Sequence, residues 1–201
     1  MDLKHSNIIL IEQYLETTGS TISYEIEFLY KMYKELFKDE IKSHTNRSKV
    51  HNAFNGLQYL AMDLLAIQYK LNGNSIKSIR PGFVYAITNP AWPDCIKIGS
   101  AIDVYDRLNS YQTSSPNRDY KLETYVFVDD RLSYEKQLHE KYNAEGEWIR
   151  TNVVPVEFKQ MFDARRDKLS EIIKQEVVSK IVQNVEPESN NSIRSILEKY
   201  L

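Results

Sequence analysis

A tyrosine and a lysine stand in the two arms of a hairpin-like stretch near the middle of the chain, Phe83-Val84-Tyr85-Ala86-Ile87-Thr88-Asn89-Pro90-Ala91-Trp92-Pro93-Asp94-Cys95-Ile96-Lys97-Ile98-Gly99. Side chains alternate along a strand, so if the odd-numbered residues of both arms point together, Tyr85 and Lys97 share one sheet face. Further on, Arg107 and Tyr111 are spaced i,i+4 and lie one turn apart on one helix face, and Glu135 and His139 repeat that spacing on a second helix. The chemistry open to such cations is that of anions: an ammonium is a point charge, and a planar guanidinium fork can hold two oxygens at once.

Each residue also has a plainer reading. Tyr85 is one of 14 tyrosines and fits a half-buried strand as a packing residue. Arg107 fits an ion pair with Asp103 at i−4, Glu135 is an ordinary neighbour of His139, and His139 fits a helix residue that bonds the sheet. Glu147 and Trp148 read as edge-strand structure, and His5, His44 and His51 as surface residues with no constellation around them.

The elements that must position these residues follow from periodicity. Short β runs at Phe83 to Thr88, Ile96 to Ile98, Leu122 to Val128 and Trp148-Ile149 alternate with helices at about Val104 to Thr113 and Ser133 to Tyr142. Pro116 closes the first of these helices. This small α/β unit sits between helical flanks. Upstream, Ile8 to Leu15 and Ile22 to Ile41 read as helices, and Val50, Ala53, Leu57, Leu60, Leu64, Ile67 and Leu71 form a heptad seam. Asn72-Gly73-Asn74 ends that helix as a left-handed cap would. Downstream, helix returns from about Ala164 through Val185, then a linker from Glu186 to Asn191 precedes a last helix, Ile193 to Leu201. The expected fold is α+β, with a helical N-terminal domain over 1–80, the α/β domain over 81–162 and a helical C-terminal segment over 163–201.

Composition narrows the partners. The chain has 201 residues with 42% hydrophobic and 27% charged content, ordinary for a soluble globular protein. The single cysteine, Cys95, excludes an internal disulfide framework and a Cys-rich zinc site. No run approaches the length of a membrane span and the N-terminus is unlike a signal peptide, so the expectation is a soluble, intracellular protein without a membrane partner. Residues 1–80 carry 10 basic and 9 acidic side chains, 81–162 carry 9 and 12, and 163–201 carry 7 and 7. No region is basic, so any hold on nucleic acid must come from locally placed cations rather than from a broad positive face.

Five short motifs in order carry a family resemblance: Phe83-Val84-Tyr85, Lys97-Ile98-Gly99, Asp106-Arg107-Leu108, Glu135-Lys136-Gln137-Leu138-His139, and Gly146-Glu147-Trp148-Ile149. Together they resemble the GIY-YIG nuclease superfamily, and within it the Lys-Ile-Gly branch, the phage T-five open-reading-frame type of DNA-binding domain, common in phages and large DNA viruses. The match covers Gly82 to Ile149, about a third of the chain. The resemblance implies a compact sheet ringed by helices, with DNA as partner and metal-dependent phosphodiester cleavage by an endonuclease. On the matching positions, Tyr85 would orient or deprotonate water, Arg107 would hold phosphate, and Tyr111 takes a position that is His or Tyr in the nucleases. Glu135 would bind one Mg²⁺ as its single protein carboxylate, and His139 stands as a further ligand or base.

Two departures weigh on catalysis more than on binding. Lys97 replaces the second-motif tyrosine and puts a point charge near phosphate in place of a phenol. The asparagine expected beyond Glu135 has no clear match, Asn143 being close and Asn152 far. The alternative is a nuclease-derived scaffold that has lost its site and serves as an interaction or oligomerisation module. Asn46-Arg47-Ser48-Lys49 could contact DNA phosphates as in a helix-turn-helix variant. The seam from Val50 to Leu71 packs either on the helix before it or on a second copy, and the expectation is a homodimer contacting through Leu64, Ile67 and Leu71.

Overall fold

The computed structural model describes residues 3–37 and 47–184. The linker and last helix read from the sequence lie outside the described residues, as do Asn46 and residues 38–45. The fold is α+β. Three helices, α1 (Leu3–Thr18), α2 (Ile26–Leu36) and α3 (Arg47–Leu71), precede β1 (Gly82–Thr88) and β2 (Cys95–Ala101); then come α4 (Val104–Ser114), β3 (Lys121–Val128), α5 (Arg131–Lys141), β4 (Trp148–Arg150) and α6 (Val156–Asn184).

The strands make one antiparallel sheet in the order β3-β1-β2-β4. Alternation gives it two different faces. Val84, Ala86, Ile96, Ile98, Val126 and Val128 pack with Leu138 of α5, Ile149 of β4 and Phe158 of α6. Phe83, Tyr85, Ile87 and Phe127 face the other way, into a larger core shared with α1, α2, α3 and Val104 of α4. Helices α4 and α5 begin where the chain supplies an aspartate cap. Asp103 accepts from the Tyr105 and Asp106 N–H groups at the head of α4, and Asp130 from the Ser133 N–H at the head of α5. At the end of α3, Gly73 (φ +62°) and Asn74 (φ +60°) adopt the left-handed turn, with the Asn74 N–H donating to the Tyr69 carbonyl at 2.9 Å.

Helix α6 begins at Val156, eight residues before the sequence expectation. Phe158 and Phe162, one turn apart, pack against the sheet side and α3 respectively, Phe162 meeting Phe54 edge-on at 4.8 Å between centroids. The sequence alone placed these aromatics at the end of the α/β unit because their partners are distant in the chain.

The seam turns inward. Ala53, Leu57, Leu60, Leu64 and Ile67 are all buried, Leu64 completely, while Leu71 alone stands out at 74% exposure. The expected homodimer contact through Leu64, Ile67 and Leu71 is not supported: α1, α2 and α6 pack on α3, and Leu64 and Ile67 are buried within the single chain. A covered seam is already stabilised in cis, each fully buried leucine contributing about 1.5–3 kcal/mol. Among the described residues no helix is long and apolar enough to cross a membrane.

Candidate nucleic-acid interface

The register of the hairpin decides which side chains meet. Tyr85 is opposite Gly99, Ile87 opposite Lys97, and Lys97 in turn opposite Trp148. Tyr85 and Lys97 thus lie diagonally on one face, as strand parity predicts. The glycine of the Lys-Ile-Gly motif has a steric reason. A Cβ at Gly99 would lie 2.2 Å from the Tyr85 hydroxyl oxygen and 2.5 Å from Cζ, because the phenol ring is laid across the glycine backbone.

Helix α4 brings in Arg107 and Tyr111. Arg107 Nε donates to Tyr85 Oη at 3.4 Å, and the Tyr85 and Tyr111 hydroxyls are 3.1 Å apart. The guanidinium also lies over the Tyr111 ring at 4.8 Å. Asp103 Oδ1 accepts from the N–H groups at the α4 N-terminus, and the phenols of Tyr85 and Tyr111 hold the Arg107 guanidinium.

Lys97 is 7% exposed. Its ammonium is ion-paired with Glu147 and lies 5.1 Å from the Tyr111 ring centroid and 5.5 Å from that of Trp148. Burial lowers its pKa, with Arg107 pushing the same way and the Glu135 carboxylate pushing back. Burial raises the Tyr85 pKa, reinforced by the Tyr111 hydroxyl, with Arg107 opposing. The phenol therefore keeps its proton at neutral pH. The contact with Tyr85 raises the pKa of Arg107 further, so its charge is permanent.

Glu135 approaches from α5, where its Oε2 accepts from Ser100 Oγ at 2.6 Å. Buried Arg131 reaches the same hydroxyl through Nη1 at 3.4 Å, beneath Gly82, where a Cβ would meet its Cδ at 2.4 Å. Ser100 is opposite Val84 in the β1–β2 register, and the charge of Glu135 reaches Lys97 and Arg131. His139 Nε2 is 3.0 Å from the Ile98 carbonyl; since a carbonyl only accepts, that nitrogen carries the proton and is committed to the backbone. Asn143 sits with φ +49° in the turn after α5.

As for a metal, Glu135 offers one carboxylate, enough for Mg²⁺ held otherwise by water and phosphate. Among the described residues no three His, Cys, Asp or Glu side chains converge on a metal position.

Structure thus gathers Tyr85, Lys97, Arg107 and Tyr111 into one cluster, bonds Glu135 to Ser100 and ties His139 to the strand. It adds residues that sequence reasoning passed over as structure: Glu147 as the partner of Lys97, Ser100 and Arg131 around Glu135, and an aromatic rim of Trp92, Trp148 and Tyr120. Trp92 meets Trp148 at 5.2 Å and Tyr120 at 6.4 Å, and Tyr120 meets Tyr111 at 5.6 Å. The density of aromatics between Tyr85 and Trp148 was the available signal; without the β2–β4 register it had no direction.

The chain matches no curated protein and no solved structure. Residues 82–178, from β1 well into α6, match the family model of the T5orf172 domain.

Proposed function

We propose that the protein binds DNA by seating a backbone phosphate on Arg107, with the Lys97 ammonium behind it. The observation that carries this is the convergence of Tyr85, Lys97, Arg107 and Tyr111 on one sheet face within the matched domain. Arg107 donates Nε to Tyr85, and the terminal amino groups of the fork are the ones that would reach phosphate oxygens. If Tyr85 in turn donates to Tyr111, the Tyr111 proton is free to point outward to the same anion. Lys97 adds charge in a site that burial makes less polar, where each interaction is stronger than in water.

A second reading, metal-dependent phosphodiester cleavage, is supported by the Glu135 carboxylate, whose charge opposes the lowering of the Lys97 pKa. Mg²⁺ on Glu135 would supply charge relief to the phosphate. Arg107 and Lys97 would hold the non-bridging oxygens, and protonated Tyr85 would fix Arg107 and position a water rather than deprotonate it.

One pair of assays separates the readings. Gel retention at low salt should be lost by more than about tenfold in Arg107→Glu, with a shallow salt slope worth roughly 2 to 4 phosphates. Retention indifferent to this change sinks the binding proposal. Supercoiled plasmid with Mg²⁺ or Mn²⁺, with and without chelator, tests cleavage. Chelator-sensitive nicking that disappears in Glu135→Gln, with retention unchanged, supports it; nicking at the parent rate in that variant removes Glu135 from the mechanism.

A further inference from the structure

Next to the cationic cluster, the β1–β2 connection holds up Trp92 at 50% exposure. The connection is short and tied down at both ends. Asn89, 3% exposed, donates through Nδ2 to Asp119 Oδ1 at 2.8 Å and accepts from the Ala91 N–H through its own Oδ1 at 2.8 Å. The Trp92 N–H donates to the Asn89 carbonyl at 2.9 Å, and the Trp92 carbonyl accepts from the Cys95 N–H at 3.1 Å. Pro90 and Pro93 on either side fix two more φ angles. The indole is held edge-on by Trp148 and tilted against Tyr120, so it is supported by aromatic neighbours while half its surface stays open.

We infer that Trp92 is a stacking platform for an unpaired base, and that the ligand this site prefers is single-stranded or locally unpaired DNA. The inference rests on the backbone-phosphate reading above and goes beyond it by naming the form of the nucleic acid. Three observations carry it. Trp148 is in contact with both Trp92 and the Lys97 ammonium, so the base platform and the phosphate cation are separated by one side chain, the scale of a single nucleotide. The platform is preorganised, so stacking on it costs little ordering entropy. Residues 81–162 carry 9 basic and 12 acidic side chains, too little positive charge to grip a duplex by its backbone alone, and stacking is the non-ionic source of affinity that single strands offer and paired bases withhold.

The chain's two tryptophans, Trp92 and Trp148, are both here, so intrinsic fluorescence of the full-length protein reads the site directly. The probes are an oligothymidylate of about a dozen nucleotides and a blunt duplex of the same length, within the range that single-strand sites span. We expect the single strand to quench tryptophan emission and to bind more tightly than the duplex. Trp92→Ala should weaken the single strand by about tenfold or more, Trp92→Phe should keep most of the affinity, and duplex binding should stay within about twofold in both variants. Circular dichroism matching the parent confirms the fold of both variants. Duplex bound as tightly as the single strand, with Trp92→Ala indifferent, overturns the stacking platform and leaves DNA binding standing. Binding of neither probe overturns both.

Discussion

Two tyrosine clusters flank β1 on the same face of the sheet, and they differ in one respect. Tyr59 of α3, Tyr105 of α4 and Tyr125 of β3 are joined hydroxyl to hydroxyl at 3.1 Å and 3.1 Å. Across the strand, opposite Tyr125 in register, Tyr85 meets Tyr111 at the same 3.1 Å. Burial raises the pKa of Tyr85, Tyr105 and Tyr125 alike, so none of these three is a phenolate at neutral pH. The second cluster, however, contains Arg107 and Lys97. A hydroxyl chain by itself ties helices to a sheet; the same chain with two cations threaded through it orients charge for an anion. The contrast teaches that tyrosine geometry alone is no mark of a site here, and that the cations it arranges are.

The largest way to break the contrast is at Gly99. Gly99→Ala drives a Cβ into the buried Tyr85 ring. We expect about 1–3 kcal/mol of lost stability in denaturant titration and a severe loss of DNA retention, because Arg107 loses its anchor. Tyr85→Leu in the same background should restore part of the stability but not the retention, a coupling that a double-mutant cycle measures. Additive losses would mean that the two residues do not communicate.

Glu147 sharpens the contrast in the opposite direction. Its carboxylate occupies Lys97, and a phosphate would have to compete with it. Glu147→Gln removes one negative charge and frees the ammonium, so DNA should bind several-fold more tightly at low salt. Weaker binding would make Glu147 a positioning residue for Lys97 rather than a competitor.

The pH response is smaller. Lys97 has its folded-state pKa depressed by burial, so the charged form is disfavoured in the free fold and that penalty is relieved as pH rises through the lowered value. Stability therefore gains slightly on the alkaline side while DNA affinity falls, since the anion needs the proton. Retention should decline a few-fold below the pH at which an ordinary lysine titrates, and Lys97→Arg should flatten that decline. A parallel decline in both proteins would assign the titration to another group.

The smallest effect is expected on the other cluster. Tyr125→Phe deletes the terminal hydroxyl contact to Tyr105 and should cost about 1 kcal/mol of stability, with DNA retention within about twofold of the parent. A DNA defect there would erase the distinction between the clusters.

The sequence by itself determined what depends on local period. The 3,4 repeat from Val50 to Leu71 predicts α3, and Gly73 ends it where a left-handed residue is needed. Alternation in the hairpin puts Tyr85 and Lys97 on one face, and the i,i+4 spacing puts Arg107 and Tyr111 on another that meets it. These are properties of neighbours along the chain, so they are written into residue order.

Tertiary structure alone decided where the faces go. An apolar stripe is equally satisfied by its own chain or by a copy, and only the packing of α1, α2 and α6 shows that Leu64 has no surface to offer. Lys97 finds Glu147 fifty positions away because β4 pairs with β2, and a shift of that register by one residue would turn Trp148 to the opposite face. The same pairing stands Trp92 against Trp148 and makes a rim from residues that read separately as turn and edge strand. Ion pairs and ring contacts at such separations are set by how the strands and helices close on one another, and no local pattern in the sequence encodes that closure.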